Sequence, residues 1–265
     1  MGAPVIHFEV MAQDGPKMQG FYADLFGWKI DADNPMGYGV IAHSDNYAKG
    51  GVGIGGGIMG GMQPGQDGAT FYAEVPDVET TLAKAESLGG KRIVGPMQVE
   101  GSSLVFGHFL DPEGHGIGLM QAGTLGGAAS IDPAAAPKGA PVVHFQVIGN
   151  DYDVLESFYS SLFDWKLDRN NPVDYGVISR EDNLNADGIG IGGGIMGSTS
   201  EHDMSDYSGH TTFYVEVPDV EAALSRAESL GGKRLMGPVD VPGGPTLGQF
   251  ADPEGHVIGV VKAED

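Results

Sequence analysis

Two pairs of side chains carry the most suggestive chemistry. In "VIHFEV", residues 5–10, His7 and Glu9 stand two apart, so on an extended chain both project from one face. An imidazole and a carboxylate so placed can hold a divalent ion or move a proton. "VVHFQV", residues 142–147, repeats the arrangement as His144 and Gln146, without the second acidic group. In "TFYAEV", residues 70–75, Thr70, Tyr72 and Glu74 share a face, and Thr212, Tyr214 and Glu216 repeat that set. In a closed environment a carboxyl with a raised pKa beside a phenol is a proton-transfer pair. In the open it is a solvated carboxylate on a sheet. His108 precedes a turn and has Gln249 as its counterpart, which confines any role for it to the first half. Two glycines, Gly118 and Gly259, fall on what reads as the last strand of each half, where a side chain would ordinarily pack. His115 and His256 follow the Asp-Pro-Glu-Gly turns and are expected to be exposed at the turn edge.

Several other chemistries are excluded. There are no cysteines, hence no disulfide, thiolate nucleophile or Cys-based zinc site. Gly55, Gly57 and Gly60 fit G-x-G-x-x-G, but "GMQPGQDG" follows as a loop where a dinucleotide fingerprint needs a helix. There is no G-x-S-x-G elbow and no H-E-x-x-H zinc helix. With 36 acidic against 14 basic residues the net charge is −22, which repels phosphate backbones and argues against nucleic acid or anionic membranes. No apolar stretch reaches the roughly 18 residues of a membrane span, and "MGAPVIHFEV" has no signal-peptide pattern. A soluble, cytoplasmic protein is expected.

The elements that must position these groups are repeated. "PVIHFEV" at 4–10 returns as "PVVHFQV" at 141–147, "FYADLFGWK" at 21–29 as "FYSSLFDWK" at 158–166, and "GIGGGIMG" at 53–60 recurs at 190–197. "TFYAEVPDVE" at 70–79 matches "TFYVEVPDVE" at 212–221, after an insertion near "STSEHDMSDYSG". "FLDPEGHGIGLMQ" at 109–121 matches "FADPEGHVIGVVK" at 250–262. The chain is a tandem duplication. It divides into a first domain at 1–121, an Ala/Gly/Pro linker at 122–140 and a second domain at 141–265.

Each copy divides again. "VIHFEV" alternates as a half-buried strand with Ile6, Phe8 and Val10 toward helices. Met18, Phe21, Tyr22, Leu25 and Phe26 form one helical face, and "YGVIAH" and "GVGIGGGIMG" follow as strands. "ATFYAEV" is a strand, and "PDVETTLAKAESLGG" is a helix opened by Pro76 and Asp77 and stopped by Gly89-Gly90. "KRIVGPMQVE", "LVFGHFL" and "HGIGLMQ" complete the set. The fold class is α+β, with four strand-helix-strand-strand-strand units. Trp28 and Trp165, at matching helix ends, are expected in the core.

This pattern resembles the vicinal oxygen chelate superfamily of glyoxalases, bleomycin-resistance proteins and extradiol dioxygenases. The likeness rests on the His7 strand, the "FYADLFGW" and "VPDVETTLAKAESLGG" helices and the "FLDPEGHGIGL" hairpin. The resemblance implies curled mixed sheets around cup-shaped cavities and, in metal-using members, four His or Glu ligands on the cup-facing strands. Those positions fall on His7 and His144, within the two "GIGGGIMG" segments, on Thr70 and Thr212, and on Gly118 and Gly259. Only the histidines supply a metal-binding group, and catalytic zinc normally takes three protein ligands. The expectation is therefore a metal-independent small-molecule binder without a cofactor. Its ligand contacts would come from His7, Glu9, Tyr72, Glu74, His108, Gly118, His144, Gln146, Tyr214, Glu216 and Gly259, the glycines leaving room for the ligand. The alternative is a glyoxalase-like lyase or isomerase, or an oxygenase-like enzyme. It would use one divalent metal ion on His7 and Glu9, or acid/base pairs such as Tyr72 with Glu74. A monomer with an internal pseudo-dimer or a homodimer is expected.

Overall fold

The computed structural model describes residues 2–124, 131–132, 134–197 and 209–263. The first copy runs β1 (Val5–Met11), α1 (Gly15–Phe26), β2 (Ile30–Asp31), β3 (Gly39–Ile41), β4 (Gly55–Met59), β5 (Gly68–Val75), α2 (Val78–Ser87), β6 (Lys91–Gln98), β7 (Val105–Leu110) and β8 (Gly116–Gln121). The second repeats it as β9 (Val142–Ile148), α3 (Tyr152–Phe163), β10 (Leu167–Asp168), β11 (Gly176–Ile178), β12 (Gly192–Met196), β13 (His210–Val217), α4 (Val220–Ser229), β14 (Lys233–Asp240), β15 (Thr246–Ala251) and β16 (Val257–Lys262). The four strand-helix-strand-strand-strand modules read from the sequence are all present. Part of the linker and nearly all of the insertion near "STSEHDMSDYSG" lie outside the described residues.

Local rules explain the helix ends. Asp77 caps α2 by accepting from the Thr80 N–H at 2.6 Å, and Asp14 and Asp151 cap α1 and α3 in the same way. Gly27 closes α1 in the left-handed region at φ 68°. The mixed ladders follow one plan. Strands run β2-β3-β4-β1 and β5-β8-β7-β6 in the first copy, with β1–β4 and β5–β8 parallel and the other pairings within these sets antiparallel. The second copy repeats the plan, with β13–β16 parallel. β4 leads on to β5, not to a helix, and Gly60 at its end lies against Gly15 at the start of α1. That close backbone approach is what the third glycine of the apparent fingerprint serves.

The chain folds as two compact units that cut across the sequence copies. One comprises Met1–Ile6, Phe71–Ser130 and Phe145–Thr211; the other His7–Thr70, Ile131–His144 and Thr212–Asp265. The second module of one copy therefore shares a core with the first module of the other. In the first unit Phe71 meets Phe145 at 4.6 Å and Phe109 meets Phe158 at 5.9 Å. In the second, Phe8 meets Phe213 at 4.8 Å and Phe21 meets Phe250 at 6.2 Å. Burying each ring is worth about 2–3 kcal/mol, so these contacts dominate the energetics of each unit.

Trp28 and Trp165 are buried in this aromatic packing, as expected. Their indole N–H groups donate to Ala140 O and Ala3 O, both at 2.7 Å, and so pin the residues that precede β9 and β1. The half-buried reading of the first strand needs correction: β1 is buried on both faces up to Val10, including His7 and Glu9. The helix-facing side fills with apolar residues, and polar groups on the other side are sheltered as well.

Candidate functional site

In the unit that contains both residues, His7 and Glu9 project from β1 opposite Gly55 and Gly57 of β4. Gly57 has no side chain because the Tyr38 ring lies over it; a Cβ there would fall within the ring. The Tyr38 hydroxyl meets His7 Nε2 at 2.8 Å. Burial, and then the charge and hydrogen bond of Glu9, push the Tyr38 pKa well up, so this phenol stays protonated. Burial lowers the His7 pKa to about 4, leaving the imidazole neutral at physiological pH. Glu9, Tyr38 and His7 thus form one polar cluster on a sheltered sheet face.

The same unit carries the second-copy counterpart of a different strand pair. Tyr214 of β13 lies opposite Gly259 of β16 and its ring covers that glycine. Gln249 Nε2 donates to the Tyr214 hydroxyl at 2.9 Å, and the His144 ring stands edge-on to Tyr214 at 5.8 Å. Burial again lowers the imidazole, His144, to about 4.

The other unit holds the matching parts. Tyr72 of β5 lies over Gly118 of β8 and bonds His108 Nε2 through its hydroxyl at 2.6 Å. Phe106 packs edge-on against His108 at 6.0 Å, and burial lowers the His108 pKa to about 4. Tyr175 covers Gly194 of β12, and Gln146 is buried on β9. Glu74, half-buried, accepts from Asn185 Nδ2 at 3.4 Å. Its pKa is raised, by burial first, with Asn185 opposing and Asp187 adding to the rise. The hydroxyl of Tyr72 thus bonds His108, and the carboxylate of Glu74 accepts from Asn185. Glu216 is half-buried on β13.

One residue type therefore recurs in all four modules, a tyrosine laid over a strand glycine: Tyr38 on Gly57, Tyr72 on Gly118, Tyr175 on Gly194 and Tyr214 on Gly259. This corrects the expectation that Gly118 and Gly259 are positions vacated to leave room. The room is taken by the neighbouring tyrosine ring, and glycine is required for the ring to lie flat on the sheet. At the positions where the superfamily resemblance implies metal ligands, the donor set does not fit a divalent ion. Thr70 and Thr212 are buried, Thr212 Oγ1 donates to Val257 O at 2.8 Å, and the two glycine positions face phenol rings.

A second polar system escaped the sequence reading. His115 and His256 are buried, not exposed at a turn edge. In the closing hairpin Asp252 accepts from the Glu254 and His256 N–H groups at 2.9 and 3.0 Å and from the Tyr22 hydroxyl at 2.7 Å, and bonds His256 Nδ1 at 2.9 Å. Asp111 does the same with Glu113, His115 and Tyr159 in the other unit. The Asp-x-x-x-His spacing in both copies was the available signal. It brings the carboxylate and imidazole together only because the turn folds back on itself.

The sequence description of the Glyoxalase/Bleomycin resistance protein/Dioxygenase superfamily matches residues 5–119 and 142–260. The chain belongs to this superfamily. Among its curated relatives, "Putative glyoxylase CFP32" of Mycobacterium bovis and of Mycobacterium tuberculosis are each 24% identical over 267 residues, covering 96% of this chain and 92% of the relative. Among solved superfamily structures, the Mn(II)-bound glyoxalase from Novosphingobium aromaticivorans superposes with a TM-score of 0.61 at 14% identity, over 100% of this chain and 83% of that one. The 2,3-dioxygenase LapB from Pseudomonas sp. KL28 gives 0.59 at 12% identity, over 100% and 94%. At these identities the structures establish the superfamily fold. No described helix is long and apolar enough to cross a membrane.

Proposed function

We propose that the chain is a metal-independent small-molecule binding protein of the glyoxalase/bleomycin-resistance type. The observation that carries this reading is the tyrosine over glycine in all four modules, which replaces charged ligand groups by phenol faces. The polar groups beside them, His7, His108 and His144, are neutral at physiological pH because burial holds each near 4. Phenols and neutral imidazoles hydrogen-bond and stack but offer no full positive charge. An uncharged, aromatic, hydrogen-bonding compound suits such a surface, with Glu9, Gln146, Glu74 and Glu216 supplying further acceptors. Differential scanning fluorimetry of chelator-treated protein against a panel of uncharged aromatic compounds tests the reading. A hit should raise the unfolding temperature of the wild type without added metal and lose that effect in Tyr72→Ala or Tyr214→Ala. Ligand stabilisation that appears only after Mn(II) or Zn(II) is supplied would contradict it.

One observation favours a second reading, a glyoxalase-like lyase or isomerase. Glu9 is a buried carboxylate hydrogen-bonded to a phenol that also contacts an imidazole, an arrangement able to relay a proton. Its relatives include proteins named as glyoxylases and a Mn(II)-bound glyoxalase. Glyoxalase turnover abolished by Glu9→Gln but retained in chelator would support it.

A further inference from the structure

Outside the sheet faces, three side chains of one unit converge beside the closing hairpin. Asp67 precedes β5, and Glu254 and His256 follow Asp252 in the turn between β15 and β16. One ligand atom from each of the three lies within 4.8 Å of the other two. His256 Nε2 is 3.8 Å from Asp67 Oδ2, too far for a hydrogen bond. It is buried and has no hydrogen-bond partner among the described residues, and the His256 side chain is only 5% exposed.

The imidazole is held in the form a metal needs. Its Nδ1 bonds Asp252, which is itself fixed by the Tyr22 hydroxyl and two backbone N–H groups. A carboxylate accepting the Nδ1 proton turns the Nε2 lone pair outward and raises its basicity, the outer-sphere arrangement typical of metal-bound histidines. That lone pair points toward the Asp67 carboxylate. A neutral Nε2 lone pair 3.8 Å from a carboxylate oxygen is repulsive, and a cation at that place, a proton or a metal ion, relieves it. Burial pulls the His256 pKa down, but Asp252, Glu254 and Asp67 together leave it raised.

The two carboxylates keep coordinating capacity. Glu254 accepts from the Gln13 and Asp14 N–H groups at 2.7 and 2.9 Å, one on each oxygen. Asp67 accepts from Gln13 Nε2 at 2.7 Å and Gly65 N–H at 2.8 Å, again one on each oxygen. Every oxygen has a lone pair to spare. These same bonds lock the carboxylates, so little ordering remains to be done on binding.

The other unit supplies the contrast. His115, Asp111 and Glu113 repeat the turn, with Glu113 accepting from the Asn150 and Asp151 N–H groups. At the position of Asp67 stands Gly209, and a Cβ there would meet His115 Nε2. Among the described residues the second turn has the imidazole but no counterpart of Asp67, and no room for a side chain at Gly209.

We propose that Asp67, Glu254 and His256 form a divalent transition-metal site, of a one-imidazole, two-carboxylate type suited to zinc, with an open position for water. Among the described residues the cluster occurs in one unit, outside the tyrosine-covered sheet faces. It sits where the loop before β5 and the closing hairpin meet beside the start of α1, so an ion there would tie the loop to the hairpin.

The test is titration of Zn(II) into chelator-stripped full-length protein by calorimetry, with thermal unfolding measured in parallel. The wild type should bind one equivalent tightly and unfold at a higher temperature when zinc is present. Asp67→Asn should weaken that equivalent at least about tenfold and remove the thermal shift, while unfolding near the wild-type temperature without zinc. Glu254→Gln provides the same reading should Asp67→Asn fold poorly. His7→Ala should leave zinc binding unchanged. No tight equivalent in the wild type would mean that His256 carries a proton instead and would overturn the site. So would undiminished binding in both carboxamide variants, or loss of the equivalent in His7→Ala alone.

Discussion

Histidines in two opposite electrostatic settings occupy the same molecule. His7, His108 and His144 stand on sheet faces among tyrosines, where burial pulls each pKa to about 4. His256 lies in a turn where burial pulls its pKa down, but Asp252, Glu254 and Asp67 together leave it raised. Burial alone yields neutral hydrogen-bonding groups suited to an uncharged ligand. Burial beside fixed carboxylates yields a place for a cation. The difference is set by the hydrogen-bond partner of the ring, a phenol for His7 and His108 and an aspartate for His256.

The largest effect that can break this contrast is the response to acid. Between pH 6.5 and about 4 the unfolded chain binds protons on the three sheet-face imidazoles that the folded chain does not. Stability therefore rises with pH across that window and is lost as pH falls through it, on the order of 3 kcal/mol per imidazole. Urea denaturation at pH 7, 5.5 and 4 should show the fall, and His144→Gln should make it shallower. His256 runs the other way: its raised pKa stabilises below about 6.5, and that contribution fades as pH rises through the folded value. An acid limb unchanged by His144→Gln would mean that the sheet face is wetter than described.

Next in size is removal of the turn carboxylates. Asp252→Ala strands the Tyr22 hydroxyl, His256 Nδ1 and two N–H groups, and should cost about 3 kcal/mol or more in denaturant unfolding. Asp111→Ala should cost a similar amount, because its four partners are equivalent. The tyrosine-over-glycine packing gives a smaller effect. Gly118→Ala should cost about 2 kcal/mol by forcing the Tyr72 ring off the sheet, and close to nothing in a Tyr72→Ala background. Equal costs in both backgrounds would sink the assignment of that glycine to the ring. Smallest is the loss of one hydroxyl. Tyr72→Phe and Tyr214→Phe should each cost about 1 kcal/mol, the net value of the bonds to His108 and Gln249.

The sequence displayed the modules clearly because duplication printed each twice, with caps such as Asp77 and stops such as Gly89-Gly90 in register. Alternation alone also puts His7 with Glu9, and Tyr72 with Glu74, on one face of their strands. What it could not display was which groups meet across strands. Gly118 read as an empty place because the ring that fills it comes from a different strand, 46 residues earlier in the chain. Tyr38 was not singled out at all, yet it joins His7 to Glu9 from a loop before β3. His115 and His256 read as exposed because a turn sequence is ordinarily at the surface. Their burial comes from Tyr159 and Tyr22, each contributed by a helix of the other copy. The pairing of modules across copies has the same origin: the apolar helix faces are nearly identical, so sequence alone does not choose their partners.

We propose that tyrosines stand in place of metal ligands on the sheet faces. The most direct measurement is a Mn(II) and Zn(II) titration of chelator-stripped Asp67→Asn protein, in which the hairpin cluster is disabled. The account predicts no remaining tight equivalent of either ion. One tight equivalent that disappears in the Asp67→Asn, His7→Ala double variant would contradict it.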